Sequence, residues 1–132
     1  MNTFNILDTE IGSPERKLFV KEIKIDEVTF NDGRTAEKLF LTCLTEDGER
    51  EFTISEAWSE KRNEKKVNGL WVQLDDKKRL VANSTLARML QYYKVKKISD
   101  LKGKTIIGYP DPNGYMVLTT YDIKEEPSLF NE

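Results

Sequence analysis

The chain has 132 residues, the length of one domain with room for a core that needs neither metal nor disulfide. It is 38% hydrophobic and 33% charged with a net charge of −2, and no run of about 18 apolar residues reads as a membrane span. There is no histidine and one cysteine, Cys43, which excludes an internal disulfide and leaves no soft partner for a zinc site.

Residues 1–16 are polar and irregular, broken at Gly12-Ser13-Pro14, and read as a flexible N-terminal arm. Met1–Ile11 lacks the basic and apolar regions of a signal peptide, so a cytoplasmic, reducing location is expected. Lys17–Phe30 predicts a long first strand in which Phe19, Ile23 and Ile25 share one alternation. Val28 and Phe30 fall one residue out of step, which predicts a β-bulge at Asp26-Glu27 and a bent strand. Asn31-Asp32-Gly33 is a turn, and Glu37–Thr45 follows with Leu39, Leu41 and Cys43 on one face and Phe40, Thr42 and Leu44 on the other. Glu46-Asp47-Gly48 turns the chain into a third strand, Arg50–Ile54.

Ser55 can cap a short helix from Glu56 to about Asn63. Leu70–Leu74 reads as extended, Asp75-Asp76-Lys77-Lys78 as a polar turn, and Arg79–Ala82 as a segment pairing back. Asn83 or Ser84 caps the main helix, whose apolar stripe is Leu86, Met89, Leu90 and Tyr93. That stripe leaves Tyr92 nearer the surface. Ser99 can cap a single turn through Leu101, ended by Gly103. A strand pair follows, Lys104–Tyr109 and Tyr115–Tyr121, closed by Pro110-Asp111-Pro112-Asn113-Gly114. Residues 122–132 form an acidic C-terminal tail.

Charge is unevenly spread. Lys61 to Lys104 carries 13 Lys and Arg against four acids, a net of +9, and the rest of the chain carries −11. A polyanion partner for the basic part is one reading, and two solvated faces attracting each other within one domain is the other.

The fold class is therefore mainly β with one principal helix (α+β). Three antiparallel strands, a helix and two more strands is the element order of the OB-fold, a five-stranded Greek-key barrel. The chain resembles this fold over 17–121, as a single domain with an insertion at 55–82 before the helix. Gly69-Leu70-Trp71-Val72-Gln73-Leu74-Asp75, Ser84-Thr85-Leu86 and Asp100-Leu101-Lys102-Gly103-Lys104 also resemble small phage and archaeal proteins of the single-stranded-DNA-binding OB type. The resemblance implies a ligand crossing Lys38–Leu44 and Arg50–Ile54, flanked by Asn31–Ala36 and Pro110–Gly114.

Sequence-tolerant single-strand binding needs aromatic faces for stacking and cations along the backbone track. Phe40, Phe52, Trp58 and Trp71 are the candidates for stacking, and Lys38, Arg50, Arg62, Lys65 and Lys66 for phosphate contacts. Phe40 and Phe52 are expected on the outer face of the first hairpin, with Lys38 and Arg50 two residues away on the same faces. Each has a structural alternative: Phe40, Phe52 and Trp71 as core, Tyr109 and Tyr115 as a cross-strand pair, the basic run as solvated loop. The expected partner is single-stranded DNA or RNA, with a protein partner reached through the acidic, Phe130-bearing tail.

Enzymatic function is not expected. Without histidine the chain lacks the usual general base and metal ligand, and Cys43 within a strand reads as a small core residue. Gly103-Lys104-Thr105 lacks the leading glycine of a phosphate loop, where Ile98 stands, and precedes a strand. No cofactor or metal site is expected. The competing function is a protein-interaction or assembly module gripping its partner through a strand edge or the insertion.

Overall fold

The structure, a computed structural model, describes Leu7 and residues 15–123. The N-terminal arm and the acidic tail expected from the sequence lie almost wholly outside the described residues. Arg16 already belongs to the first strand, and Asp122 accepts a hydrogen bond from the Tyr92 hydroxyl at 2.9 Å.

The strands are β1 (Arg16–Thr29), β2 (Thr35–Thr45), β3 (Glu51–Ile54), β4 (Glu56–Lys61), β5 (Glu64–Gly69), β6 (Thr105–Pro110) and β7 (Met116–Thr119). The helix α1 (Thr85–Tyr92) and a 3-10 turn, Ile98–Leu101, come between β5 and β6. The strands form one mixed sheet in the order β3-β2-β1-β6-β7-β4-β5. Neighbours run antiparallel except β4 and β7, which pair in parallel at Ala57–Leu118 and Trp58–Thr119. The fold is thus mainly β with one principal helix, and the seven-stranded ladder is open, with β3 and β5 at its edges. No helix among the described residues is long and apolar enough to cross a membrane.

The core lies on one face of this sheet. Leu39, Leu41 and Cys43 of β2 are completely buried, as the alternation predicts, and meet Leu18, Val20, Ile54 and Leu118. Against them α1 lays Leu86, Met89 and Leu90. Ser84 is the helix cap, its Oγ accepting the Ala87 N–H at 3.1 Å. Tyr93 turns inward and donates its hydroxyl to the Ile107 carbonyl at 3.2 Å. The segment after β5 turns back onto β2: the Leu39 N–H donates to Leu70 O and the Val72 N–H to Glu37 O, both at 2.9 Å. Leu74 then bridges Leu80 around a turn in which the Asp75 carboxylate accepts the Lys77 and Arg79 N–H groups, so this pairing occurs as expected.

Several local expectations are overturned. Glu56 to Asn63 is not a helix. It is β4 and the turn of a hairpin, with Arg62 and Asn63 at φ of 53° and 64°. Two successive left-handed residues make the tight turn that matches strand twist. Ala57 and Ser59 face the core alternately with Trp58 and Glu60, and that burial overrides the helical propensity of Glu and Ala. The irregularity of β1 lies between Val20 and Glu22, not at Asp26-Glu27, so Phe19 does not share the alternation of Ile23 and Ile25. The 3-10 turn starts at Ile98 and takes Lys97, not Ser99, as its cap.

One further irregularity matters for the site. The inward positions are Phe52 and Ile54 in β3 but Ala57 and Ser59 in β4. The alternation slips by one residue across Ser55 and Glu56. β3 pairs with β2 at one edge of the ladder, yet β4, separated from it by Ser55 alone, pairs with β7.

Candidate nucleic-acid interface

Because Leu39 and Leu41 point into the core, Lys38 and Phe40 must point out of it. Trp71 bridges Lys38 in antiparallel register and so presents its indole on the same outer face. The Lys38 Nζ lies 4.9 Å from the Trp71 ring centre and 5.9 Å from that of Phe40. Phe30 packs on Trp71 with ring centres 5.3 Å apart and planes tilted by 40°. Two aromatic rings thus flank one ammonium group on an accessible sheet face, and a third, Phe30, packs on one of them. Gly69 provides the floor: a Cβ there would stand 2.5 Å from the Trp71 Nε1. Only a residue without a side chain lets the indole lie across the strand end.

Phe30 is the member of this cluster that sequence reasoning misses, although it left a signal. Val28 and Phe30 are out of step with Ile23 and Ile25 because they face outward; Val28 pairs with Ala36 in unbroken register. The misfit marks a surface, not a bulge.

The other predicted residues are dispersed. Phe52 pairs with the buried Cys43 and packs against the core, so it lies on the face opposite Phe40. The β2–β3 register, with Leu41 opposite Ile54, puts the two rings on opposite parities. Arg50 covers the Phe52 ring at 5.0 Å and belongs to that side. Trp58 is half-buried and donates its Nε1–H to the Pro110 carbonyl at 3.0 Å, tying β4 to the β6–β7 turn. Tyr109 pairs with Val117, not with Tyr115, which is 71% exposed. Lys65 extends over Tyr121, with 5.8 Å to the ring centre. Arg62 and Lys66 lie on the other side of the β4–β5 hairpin and line a cleft with Lys61 and Arg88.

Cys43 is not set up as a nucleophile. Burial pushes the Cys43 thiol up to about 12, so it stays protonated, a packed core group. Among the described residues no three of Cys, Asp and Glu converge as metal ligands. Tyr92 is pushed up to about 12 by burial and by donating to Asp122, and burial raises Tyr93 as well. Asp47 and Asp75 are held below the ordinary carboxylate range, Asp47 mainly by the Thr45 hydroxyl and Asp75 mainly by the Arg79 N–H. Both acids organise turns. Compared with known proteins, the chain matches no family model, no curated protein and no solved structure.

Proposed function

We propose that the protein is a non-enzymatic single-stranded nucleic-acid-binding protein with little sequence preference. The observation that carries this reading is the outer-face cluster of Phe30, Lys38, Phe40 and Trp71. Accessible aromatic faces stack bases of any identity, and an ammonium group held among them meets the phosphates between those bases. The cluster replaces the wider predicted set: Phe52, Arg50 and Trp58 are assigned to the scaffold.

The same reading takes the open ladder as an OB-like barrel with an insertion. Its support is the passage from β3 to β4 through Ser55 alone. If the two are one bent strand, the path β1-β2-β3/β4-β7-β6 returns to β1, which is the OB order, and β5 with 70–82 is the insertion. The Trp71 cluster then belongs jointly to the second strand and the insertion.

The test is a titration with oligo-dT at two salt concentrations, following tryptophan fluorescence. Saturating quenching that weakens steeply with salt is expected, and Trp71→Ala should remove most of it while Trp58→Ala leaves affinity intact. Absence of any quenching at low salt would sink the reading.

A second reading rests on a different observation. β1 pairs with β6 only through Arg16–Phe19, so Glu22–Thr29 keeps one edge without a strand partner among the described residues. Ile23, Ile25 and Ile98 line a groove of about 680 Å³ beside it. An extended peptide adding a strand there would make the protein an assembly module. Loss of such a partner on Ile25→Lys, with oligo-dT binding absent throughout, would favour this alternative.

A further inference from the structure

The cleft between the β4–β5 hairpin and the start of α1 has a volume of about 480 Å³, within the range of small-ligand sites. Every residue lining it has a polar or charged side chain. Four cations reach it from two separate elements: Lys61, Arg62 and Lys66 from the hairpin, Arg88 from the helix. Arg88 is held at the cleft by donating its Nη1–H to the Glu60 carbonyl at 3.4 Å. Two acids, Glu60 and Glu64, share the lining. Across the ladder Glu60 stands opposite Lys65 and Glu64 opposite Lys61. The ion pairs among the described residues lie elsewhere, at Lys21–Glu51, Lys24–Asp26, Arg34–Asp32 and Arg79–Asp75. The cleft lining therefore holds two more cations than anions, and among the described residues none of its cations is in an ion pair. The first turn of α1, which opens on the same cleft at Ser84 and Thr85, adds partial positive charge from its N-terminus.

Four cations converging on one cleft, with no ion-pair partner among the described residues, suit an anion with several acceptor oxygens. The position suggests which one. β5 runs from the hairpin tip to Gly69, directly under Trp71, a path of about 20 Å at the usual rise per strand residue. A strand stacked on the Trp71 cluster and following β5 arrives at this tip, with Lys65 on its near side and the cleft just around the turn.

We infer that this cleft is a phosphate-gripping subsite that takes backbone phosphodiesters of the same single strand whose bases stack on Trp71, so that the nucleic acid bends around the β4–β5 hairpin. The inference rests on the proposed function and adds a second, purely electrostatic contact to it.

The decisive measurement is the salt dependence of oligo-dT binding. Each phosphate engaged on a single strand contributes about 0.7 to the slope of log K against log salt. The double variant Lys66→Gln, Arg88→Gln should lower that slope by roughly 1 and weaken binding about tenfold at low salt, the loss expected for one to two phosphate contacts. Saturating quenching of Trp71 should persist. A charge-matched control, Lys94→Gln with Lys96→Gln beyond the C-terminal end of α1, should leave the slope unchanged. All four side chains are exposed, and Lys66→Glu alone serves if the double variant is poorly folded. A cleft variant with the slope of the control overturns the inference and leaves the proposed function standing. Wild-type protein that fails to bind oligo-dT overturns both. A parallel NMR titration with inorganic phosphate separates the two sources of the group. Saturating shifts of the Thr85 and Arg88 amides with free phosphate, and none with oligo-dT, would assign the cleft to a small anion and overturn the inference.

Discussion

The two faces of β2 carry similar side chains to opposite ends. Inward, Leu39, Leu41 and Cys43 have no exposed surface and belong to a core that draws side chains from seven other elements. Outward, Phe40 and Lys38 stay half-accessible beside Trp71, although Phe40 is larger than anything facing the core from this strand. The difference teaches that hydrophobic size alone does not separate scaffold from site. What separates them is whether the opposing surface is closed by other elements. The inner face is roofed by α1 and the 3-10 turn, whereas on the outer face, among the described residues, Trp71 and Phe30 lie beside Lys38 and Phe40 and leave them accessible.

Substitutions should break this comparison in opposite ways. Leu41→Ala on the inner face is expected to cost about 3 kcal/mol of stability, because the cavity cannot collapse against a filled core, as measured by urea unfolding. Its oligo-dT affinity at low temperature should be unchanged. Phe52→Ala should cost about 2 kcal/mol with affinity retained. Phe40→Ala, on the other parity, should cost about 0.5 kcal/mol or less in stability and weaken oligo-dT binding about tenfold, near the value of one stacked base. Equal stability losses for the two phenylalanines would show that their separation to opposite faces is wrong. Gly69→Ala sharpens the same contrast. The added Cβ displaces the indole, so tryptophan emission should shift and affinity fall, with an overpacking cost of about 1 kcal/mol.

Burial also predicts a pH response, through Cys43 on the inner face and Tyr92 at the end of α1. Cys43 rises from an ordinary 9.0 to about 12, and Tyr92 from 10.0 to about 12, because burial favours their neutral forms. Groups whose protonated form is favoured by folding lend stability that is complete below their unfolded values and is lost as pH rises towards the folded ones. Denaturant midpoints should therefore hold level through neutrality and decline above about pH 9, and Cys43→Ala should soften the first part of that decline. At the smallest end, Asn63→Gly should raise stability by less than about 1 kcal/mol, since glycine adopts the left-handed hairpin position without a Cβ penalty.

Much of the scaffold was legible because its signals are redundant. The stripe of Leu86, Met89, Leu90 and Tyr93 carries its own cap in Ser84, and the alternation of β2 sits between two glycine turns. The hairpin β4–β5 was not legible for the converse reason. Its inward residues are Ala57 and Ser59, too small to register as a hydrophobic alternation, while Glu56, Glu60 and Lys61 favour helix in isolation. Its turn, Arg62-Asn63, has no glycine to announce it. The site was half legible. Lys38, Phe40 and Trp71, all singled out from the sequence, do come together on one face, but nothing local says that Phe52 faces inward, because that depends on how β2 and β3 are placed in register. Phe30 announced itself only as a break in pattern, and a break has two explanations, an extra residue in the ladder or a residue meant for the other side.

The single residue between β3 and β4 has a consequence for the order of assembly. β3 can pair with β2 as soon as the first hairpins exist, since its partners are a few residues away. β4 finds its parallel partner β7 about sixty residues later in the chain, after α1 and the β6–β7 hairpin. Ser55 thus joins an early stretch of chain to a late one, and the parallel pair carries the loop-closure cost that slows folds built on distant contacts. Until that pair forms, the floor of the Trp71 cluster is held from one side only, by the Leu70 and Val72 hydrogen bonds to β2, while the β4–β5 hairpin that leads into Gly69 is not yet docked on β7. Binding competence should therefore be the last property to return on refolding, trailing the burial of the core.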